Sequence, residues 1–231
     1  MTADLRDRHV MITGGTGALG RAVVSRLVEA GAHCHVPSRR LSEAGAPRPQ
    51  VTLHTVADLS EEAAVSQLYD SVPELWASVH LAGGFAMAPI GDTSKAVLMQ
   101  QLDTNFVSCF LCCRAAVKAI ARTGRGGRIV NVAARPALEW RTGAGMTAYA
   151  ASKAAVAALT AALAEEVAKD GILVNAVAPS IMDTPANREA MPKANHAAWP
   201  KVEDVAATVA FLVSPDNAVT RGGVIPVYGK S

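Results

Sequence analysis

Residues 9–31 read HVMITGGTGALGRAVVSRLVEAG, and this stretch decides the fold. The apolar run His9–Thr13 predicts a short strand that ends in Gly14 and Gly15. Residues 18–30 follow with Leu19, Val23, Leu27 and Val28 at helical spacing, and Gly31 is a helix stop. A strand, a glycine turn (TGGTGALG, 13–20) and a helix thus come in immediate succession. Gly lets backbone approach a pyrophosphate, and an open helix N-terminus attracts negative charge. The local pattern therefore implies dinucleotide binding.

Outward from this unit the alternation continues. His33–Pro37 predicts a second strand, and 41–50 (LSEAGAPRPQ) is a Gly/Pro-rich connection. Val51–Val56 predicts a third strand, followed by a helix over 60–70 with Ser60 as N-cap and acids in its first turn. Val79–Ala82 predicts a fourth strand, and one long helix spans 93–122, stopped by Gly124, Gly126 and Gly127. Then come a strand at Arg128–Val132, an Ala-rich helix over 148–169, and a strand at Ile172–Val177. A helix over 202–213 and a strand at Val224–Val227 complete the set. The pattern predicts the α/β class: a single-domain, doubly wound Rossmann fold over 1–231, with a mostly parallel seven-stranded sheet and helices on both faces. Its ligand crevice lies beyond the carboxyl ends of the strands.

Composition narrows the function. The 231 residues carry a net charge of +2 and only 18% charged residues, which offers no basic footprint for nucleic acid. Hydrophobic residues make up 50%, with 45 Ala and 4% aromatics, so the core is built from small aliphatic side chains. No apolar run approaches the ~20 residues of a membrane span, and the start lacks a signal peptide's apolar stretch. A cytoplasmic location and no membrane partner are expected. Cys109, Cys112 and Cys113 fall at i, i+3, i+4 on the long helix. As a metal half-site they would need a further ligand, so they are read as small buried residues, as is Cys34. His33 and His35 share one strand face and are read as structural, with no metal expected.

The end of the second strand bears on the nucleotide. An NAD-binding Rossmann fold places an acid about 20 residues after the glycines. Here stand Ser38, Arg39 and Arg40, with no acid until Glu43. Guanidiniums and a hydroxyl suit a 2′-phosphate, so NADP(H) is the expected cofactor. Asp58 is placed to accept from an adenine amino group or to serve as a turn residue, with Leu59 beside it. Tyr149 and Lys153 (YAASK) share a helix face at i, i+4. An ammonium near a phenol lowers its pKa and makes it a usable acid or base.

Taken together, the glycine turn, Asp58, Ala82-Gly83, Asn105, Asn131, Tyr149-x3-Lys153, VNAVAP (174–179) and IPVYG (225–229) resemble the short-chain dehydrogenase/reductase family over nearly the whole chain. The resemblance implies that Tyr149 is the proton donor, that Lys153 binds the nicotinamide ribose and tunes Tyr149, and that Asn105 holds a relay water. It places Gly14, Thr16, Gly17, Leu19 and Gly20 at the pyrophosphate. It places Ala82, Gly83, Gly84, Tyr149 and Lys153 along the cofactor, with Pro179, Ile181 and Thr184 near the carboxamide.

Four departures stand out. The glycines are spaced TG-x2-G-x2-G, His80-Leu81 replaces two asparagines, Pro179 is followed by Ser180, and Ala134 stands where the family has its catalytic Ser. Losing one oxyanion donor typically costs ~2.7–4 kcal/mol. Thr142 or Thr147 could supply the hydroxyl, the substrate could dispense with it, or the protein could be a catalytically silent NADP(H)-binding redox sensor. A narrower resemblance, to dihydropteridine reductases, rests on Ala82-Gly83-Gly84, Ala134, Gly145-Met146 and DTPANREAMP (183–192) with Trp199 beyond. It implies hydride delivery to a quinonoid dihydropterin, a conjugated imine.

On the substrate side, 183–200 is expected to form a lid. Met146, Met182, Met191, His196 and Trp199 are candidate pocket residues, with Ala134, Trp140 and Arg141 in or before the loop leading to Tyr149. Helices apolar on several faces, around 105–121 and 149–168, predict a homodimer or homotetramer.

Overall fold

The computed structural model describes residues 4–40 and 48–231. Glu43 and most of the connection at 41–50 lie outside the described residues. Among the described residues, seven strands form one parallel sheet in the order β3-β2-β1-β4-β5-β6-β7. They are β1 (His9–Thr13), β2 (His33–Ser38), β3 (Val51–Thr55), β4 (Leu75–His80), β5 (Gly127–Val132), β6 (Ile172–Pro179) and β7 (Val224–Val227). The helices are α1 (Ala18–Glu29), α2 (Glu62–Asp70), α3 (Lys95–Leu102), α4 (Ser108–Ala121), α5 (Thr147–Glu166), α6 (Pro185–Ala190) and α7 (Val202–Val213). α1 and α7 pack on one face over Val10, Ile12, Val79 and Val130. α2, α4 and α5 cover the other over Met11, Ile129 and Val174. This is the doubly wound arrangement that the alternation predicts.

Some boundaries differ. β4 begins at Leu75 and ends at His80, so Leu81 and Ala82 belong to the loop beyond it. Ser60 is not an N-cap, because its amide and hydroxyl both donate to Asp58 at 2.8 Å and α2 starts after Glu61. The long helix over 93–122 is α3 and α4 joined by a π-helical turn, Asp103–Val107. The helical stretch 95–121 and α5 are also long and apolar enough, by length and composition, to cross a membrane, contrary to the sequence expectation. Their hydropathy comes from Ala, Val and Cys spread among polar residues rather than from one unbroken run.

His33 and His35 join a wider arrangement. His9 Nδ1 lies 2.9 Å from His35 Nε2, His35 Nδ1 lies 3.0 Å from His54 Nε2, and the His33 ring stacks on His9. Burial and the neighbouring imidazoles push His35 down to about 4, so its ring is neutral at pH 7.

Candidate active site

The order of the strands reverses between β1 and β4, and there the loops part into a cleft of about 740 Å³. Such a switch point is where open α/β sheets bind ligands. Gly14, Thr16 and Gly17 line it from the first turn. Gly14 takes φ +68°, and a Cβ there would meet the Ala82 amide at 2.6 Å, so only glycine lets the two loops approach. Gly17 is the N-cap of α1, whose first turn carries no acid. Its amides therefore face the cleft with an uncompensated positive dipole. Leu19 and Gly20 do not line the cleft. Leu19 is buried in the core, and Gly20 lies against the backbone of the glycine turn.

Ser38 and Arg39 line the cleft at the end of β2. The Ser38 hydroxyl donates to the Arg40 carbonyl at 2.9 Å and accepts from the Arg40 amide, so it shapes the turn that presents Arg39. Both arginines are exposed. Asp58 and Leu59 form part of the same wall. The bonds from the Ser60 amide and hydroxyl hold the Asp58 carboxyl below its ordinary range. Ala82 and Gly83 line the opposite side, with Met99, Gln100, Asp103 and Thr104 from α3 and the π turn. Those last four were not singled out in the sequence, because their spacing reads as an ordinary helix face.

Past Gly83 the chemistry-bearing side chains converge. A Cβ on Gly83 would stand 2.7 Å from Asn105 Oδ1 and 3.4 Å from Lys153 Nζ, so this glycine separates the cleft from both. Lys153 is buried, and its ammonium donates to the Val132 carbonyl at 2.8 Å. Burial lowers its pKa to about 8. Asn105 sits in the π turn. Its Oδ1 accepts from the Gly84 amide at 2.9 Å, and its Nδ2 donates to the Gly84 carbonyl and to Ser152 Oγ. Ser152 donates in turn to the Tyr149 carbonyl at 2.7 Å. Asn105 thus clamps the loop after β4 to the start of α5. Asn105 Nδ2 also donates to Gln101 Oε1 at 3.4 Å. The sequence assigns no role to Gln101, or to Ser152 between the two motif residues Tyr149 and Lys153.

Tyr149 stands in the first turn of α5, with its ring edge-on to Phe85 at 5.0 Å between centroids. The sequence predicts a phenol lowered by Lys153. In the structure burial prevails and pushes Tyr149 up to about 12. It therefore holds its proton at neutral pH, as a donor must. Ala134 is buried at the loop after β5 and contributes no hydroxyl. The Thr142 hydroxyl donates to the Glu139 carbonyl, while Thr147 is exposed at the start of α5.

Pro179 ends β6, and Ile181 is exposed beyond it. Thr184 is buried and caps α6 by accepting from the Asn187 amide. Segment 183–200 is braced internally by the Arg188–Asp183 ion pair and by the His196 Nε2 contact with the Met191 carbonyl. Trp199 is buried against His196, with ring centroids 4.6 Å apart, so it anchors the segment. Met146 and Met191 are half-buried, and Trp140 is exposed with its indole N–H on the Ala137 carbonyl.

Comparison with known proteins fits this geometry. Residues 8–195 match the family described as short chain dehydrogenase. A (2S)-[(R)-hydroxy(phenyl)methyl]succinyl-CoA dehydrogenase subunit of Thauera aromatica is 30% identical, over 97% of this chain and 96% of that protein. A (5R,7aS)-5-hydroxy-7a-methyl-1-oxo-2,3,5,6,7,7a-hexahydro-1H-indene-carboxyl-CoA reductase of Mycobacterium tuberculosis is 34% identical, over 96% and 92%. Among solved structures, ElxO with NADP bound superposes with a TM-score of 0.87 at 23% identity, over 96% of this chain and 97% of that one. A match over most of the length, joined to the placement of Tyr149, Lys153 and Asn105 beside a switch-point cleft, shows that the chain belongs to the short-chain dehydrogenases.

Proposed function

We propose that the chain is an NADP(H)-dependent reductase in which Tyr149 donates the proton, Lys153 and Asn105 order the site, and no serine hydroxyl takes part. The observation that carries this reading is Gly83, which lines the cleft on one side and abuts Asn105 and Lys153 on the other. The donor set fits a phosphorylated dinucleotide: the acid-free N-terminus of α1 for the pyrophosphate, and Arg39 at the cleft wall for a 2′-phosphate. A bound nicotinamide supplies the hydride. Lys153 would hold the ribose hydroxyls, and the Tyr149 phenol would give its proton to the substrate oxygen or nitrogen that becomes negative as hydride reaches the adjoining carbon.

Arg39→Ala is expected to weaken NADPH binding by about 10- to 100-fold, since a hydrogen bond to a charged group is worth about 1.5–3 kcal/mol. NADH binding should hardly change. Equal affinity of the parent for the two cofactors, measured by fluorescence titration, sinks the NADP(H) assignment.

The substrate follows from Ala134. Without that hydroxyl, a carbonyl oxygen loses a donor just where negative charge develops. A conjugated imine spreads its electron demand over a ring and depends less on such a donor. We therefore favour an electron-poor conjugated imine of the quinonoid dihydropterin kind, with segment 183–200 as its lid. The test is NADPH oxidation with a quinonoid dihydropterin beside an activated β-ketoester. Ala134→Ser should raise ketoester turnover by about 10²-fold and leave the pterin rate unchanged. Fast ketoester turnover by the parent would overturn the imine reading. It would point to another donor, such as Thr147.

Self-association belongs to the same proposal. α5 buries only Ala148, Ser152, Lys153, Val156, Thr160 and Ala164, so its outer alanines await a partner surface.

A further inference from the structure

Below the catalytic residues lies a second cluster that the reduction does not use. His80 closes β4, Cys109 and Cys113 lie one turn apart on α4, and Asn131 faces them from β5. All four are buried. The His80, Cys109 and Cys113 ligand atoms lie within 4.8 Å of one another. Cys113 Sγ and Cys109 Sγ lie 3.5 and 4.0 Å from His80 Nδ1. The same sulfurs lie 3.4 and 3.3 Å from Asn131 Oδ1, which is 2.8 Å from His80 Nδ1.

We propose that His80, Cys109 and Cys113, with Asn131 Oδ1 as the fourth donor, form a buried structural site for zinc(II). Zinc takes tetrahedral N/S ligands at ~2.0–2.3 Å, which sets ligand–ligand edges of about 3.3–3.8 Å. The sulfur–nitrogen and sulfur–oxygen separations are already close to that spacing. The nitrogen–oxygen contact of 2.8 Å must open by about 0.5 Å, and the 4.0 Å from Cys109 Sγ to His80 Nδ1 must shorten slightly.

Two further observations point the same way. First, Asn131 Oδ1 accepts from both thiols and also stands 2.8 Å from His80 Nδ1, so three ligand atoms crowd one amide oxygen. A cation at the centre replaces this crowding with coordination. Second, the outer groups are placed as metal ligands require. His80 Nε2 faces Ser78 Oγ at 2.8 Å and the Tyr69 hydroxyl at 3.2 Å, which can accept its N–H and leave Nδ1 free to ligate. Asn131 Nδ2 donates to Thr160 Oγ1 at 2.9 Å, which aims Oδ1 at the centre.

The charges also balance. Binding releases two thiol protons, and two thiolates, a neutral imidazole and an amide oxygen around a divalent ion sum to zero. That suits a site without water, where net charge is costly. The ion would tie together β4, α4 and β5. These elements lead to the Gly83–Gly84 loop, the Asn105 turn and the Val132 carbonyl that holds Lys153. Its role is positional, and it stands apart from the identity of the substrate.

Cobalt(II) titration of the full-length protein, purified in chelator, tests the site. One equivalent should bind with thiolate-to-cobalt charge-transfer absorption and tetrahedral d–d bands, and zinc should displace it. Zinc should also raise the Tm of the parent. The Cys109→Ser/Cys113→Ser pair should lose the charge-transfer band and at least about 100-fold in zinc affinity, whereas Cys112→Ala should keep both. The parent's own spectrum reports sulfur ligation even if a variant folds poorly. Failure to bind stoichiometric metal, in the native protein or after refolding with zinc, overturns the proposal. So does bound cobalt without a thiolate band, which would place the ion on the His9–His35–His54 row instead.

Discussion

Tyr149→Phe is expected to lower turnover with NADPH by about 10²–10⁴-fold, the usual worth of a positioned general acid, while NADPH binding stays unchanged. The substitution removes one oxygen and keeps the ring that packs edge-on against Phe85. Steady-state rates and cofactor titration on the same preparation separate the outcomes. A Phe variant that still turns over is incompatible with Tyr149 as donor. A parent inactive on every electrophile supports a silent NADP(H)-binding sensor instead. The pH profile adds a second reading. Lys153 titrates at about 8, so reduction should fall as pH rises through that value and the ammonium is lost, while Tyr149 at about 12 keeps its proton. Unfolding through Lys153 would not explain that fall. Between about 8 and the ordinary 10.5 the unfolded chain binds the proton that the folded chain does not, so this group adds stability as pH rises.

Gly20→Ala is expected to damage both fold and cofactor binding, whereas Gly17→Ala should damage binding alone. A Cβ on Gly20 would lie 2.1 Å from the Gly14 carbonyl oxygen and 2.6 Å from Gly15 Cα, both backbone atoms that cannot swing aside. α1 would have to lift from the turn. Overpacking of this kind costs about 1–3 kcal/mol or more, or about 2–12 °C in Tm for a chain of this size. At Gly17 the nearest atom is 3.4 Å away and φ is −75°, so alanine fits, but its methyl projects from a residue that lines the cleft. Thermal melts and NADPH titration of the two variants should therefore diverge. Equal melting temperatures would show that the turn is more pliant than these distances imply.

These glycines also show how far the sequence could be read. The first strand–turn–helix unit is plain in it, as are α7 and β7, whose predicted bounds match those observed. The sequence predicts β4 too late because Trp76 and Ser78 interrupt its apolar pattern. Trp76 turns its indole N–H to the Val213 carbonyl and Ser78 meets Tyr69, contacts that only the tertiary fold reveals. The π turn at Asp103–Val107 leaves no mark on periodicity, yet it carries Asn105. Motif residues located Tyr149 and Lys153. The direction of the Tyr149 shift depended on burial, which spacing cannot report. The thiols of Cys109 and Cys113 were legible as a helical pair, but His80 and Asn131 reach them from strands 29 and 18 positions away in sequence.

The close of the chain has a practical consequence. The Lys230 amide donates to the Ala198 carbonyl, Gly229 lies against Pro200, and Ser231 meets Ser180. Any polypeptide continued past Ser231 therefore leaves the molecule at the root of segment 183–200. Leu5 instead donates to the Ala30 carbonyl at the far end of α1, by the strand starts. Affinity tags, fluorophores and surface tethers are better joined on the Leu5 side, at the opposite end of the strands from the cleft. The same handle past Ser231 would crowd segment 183–200.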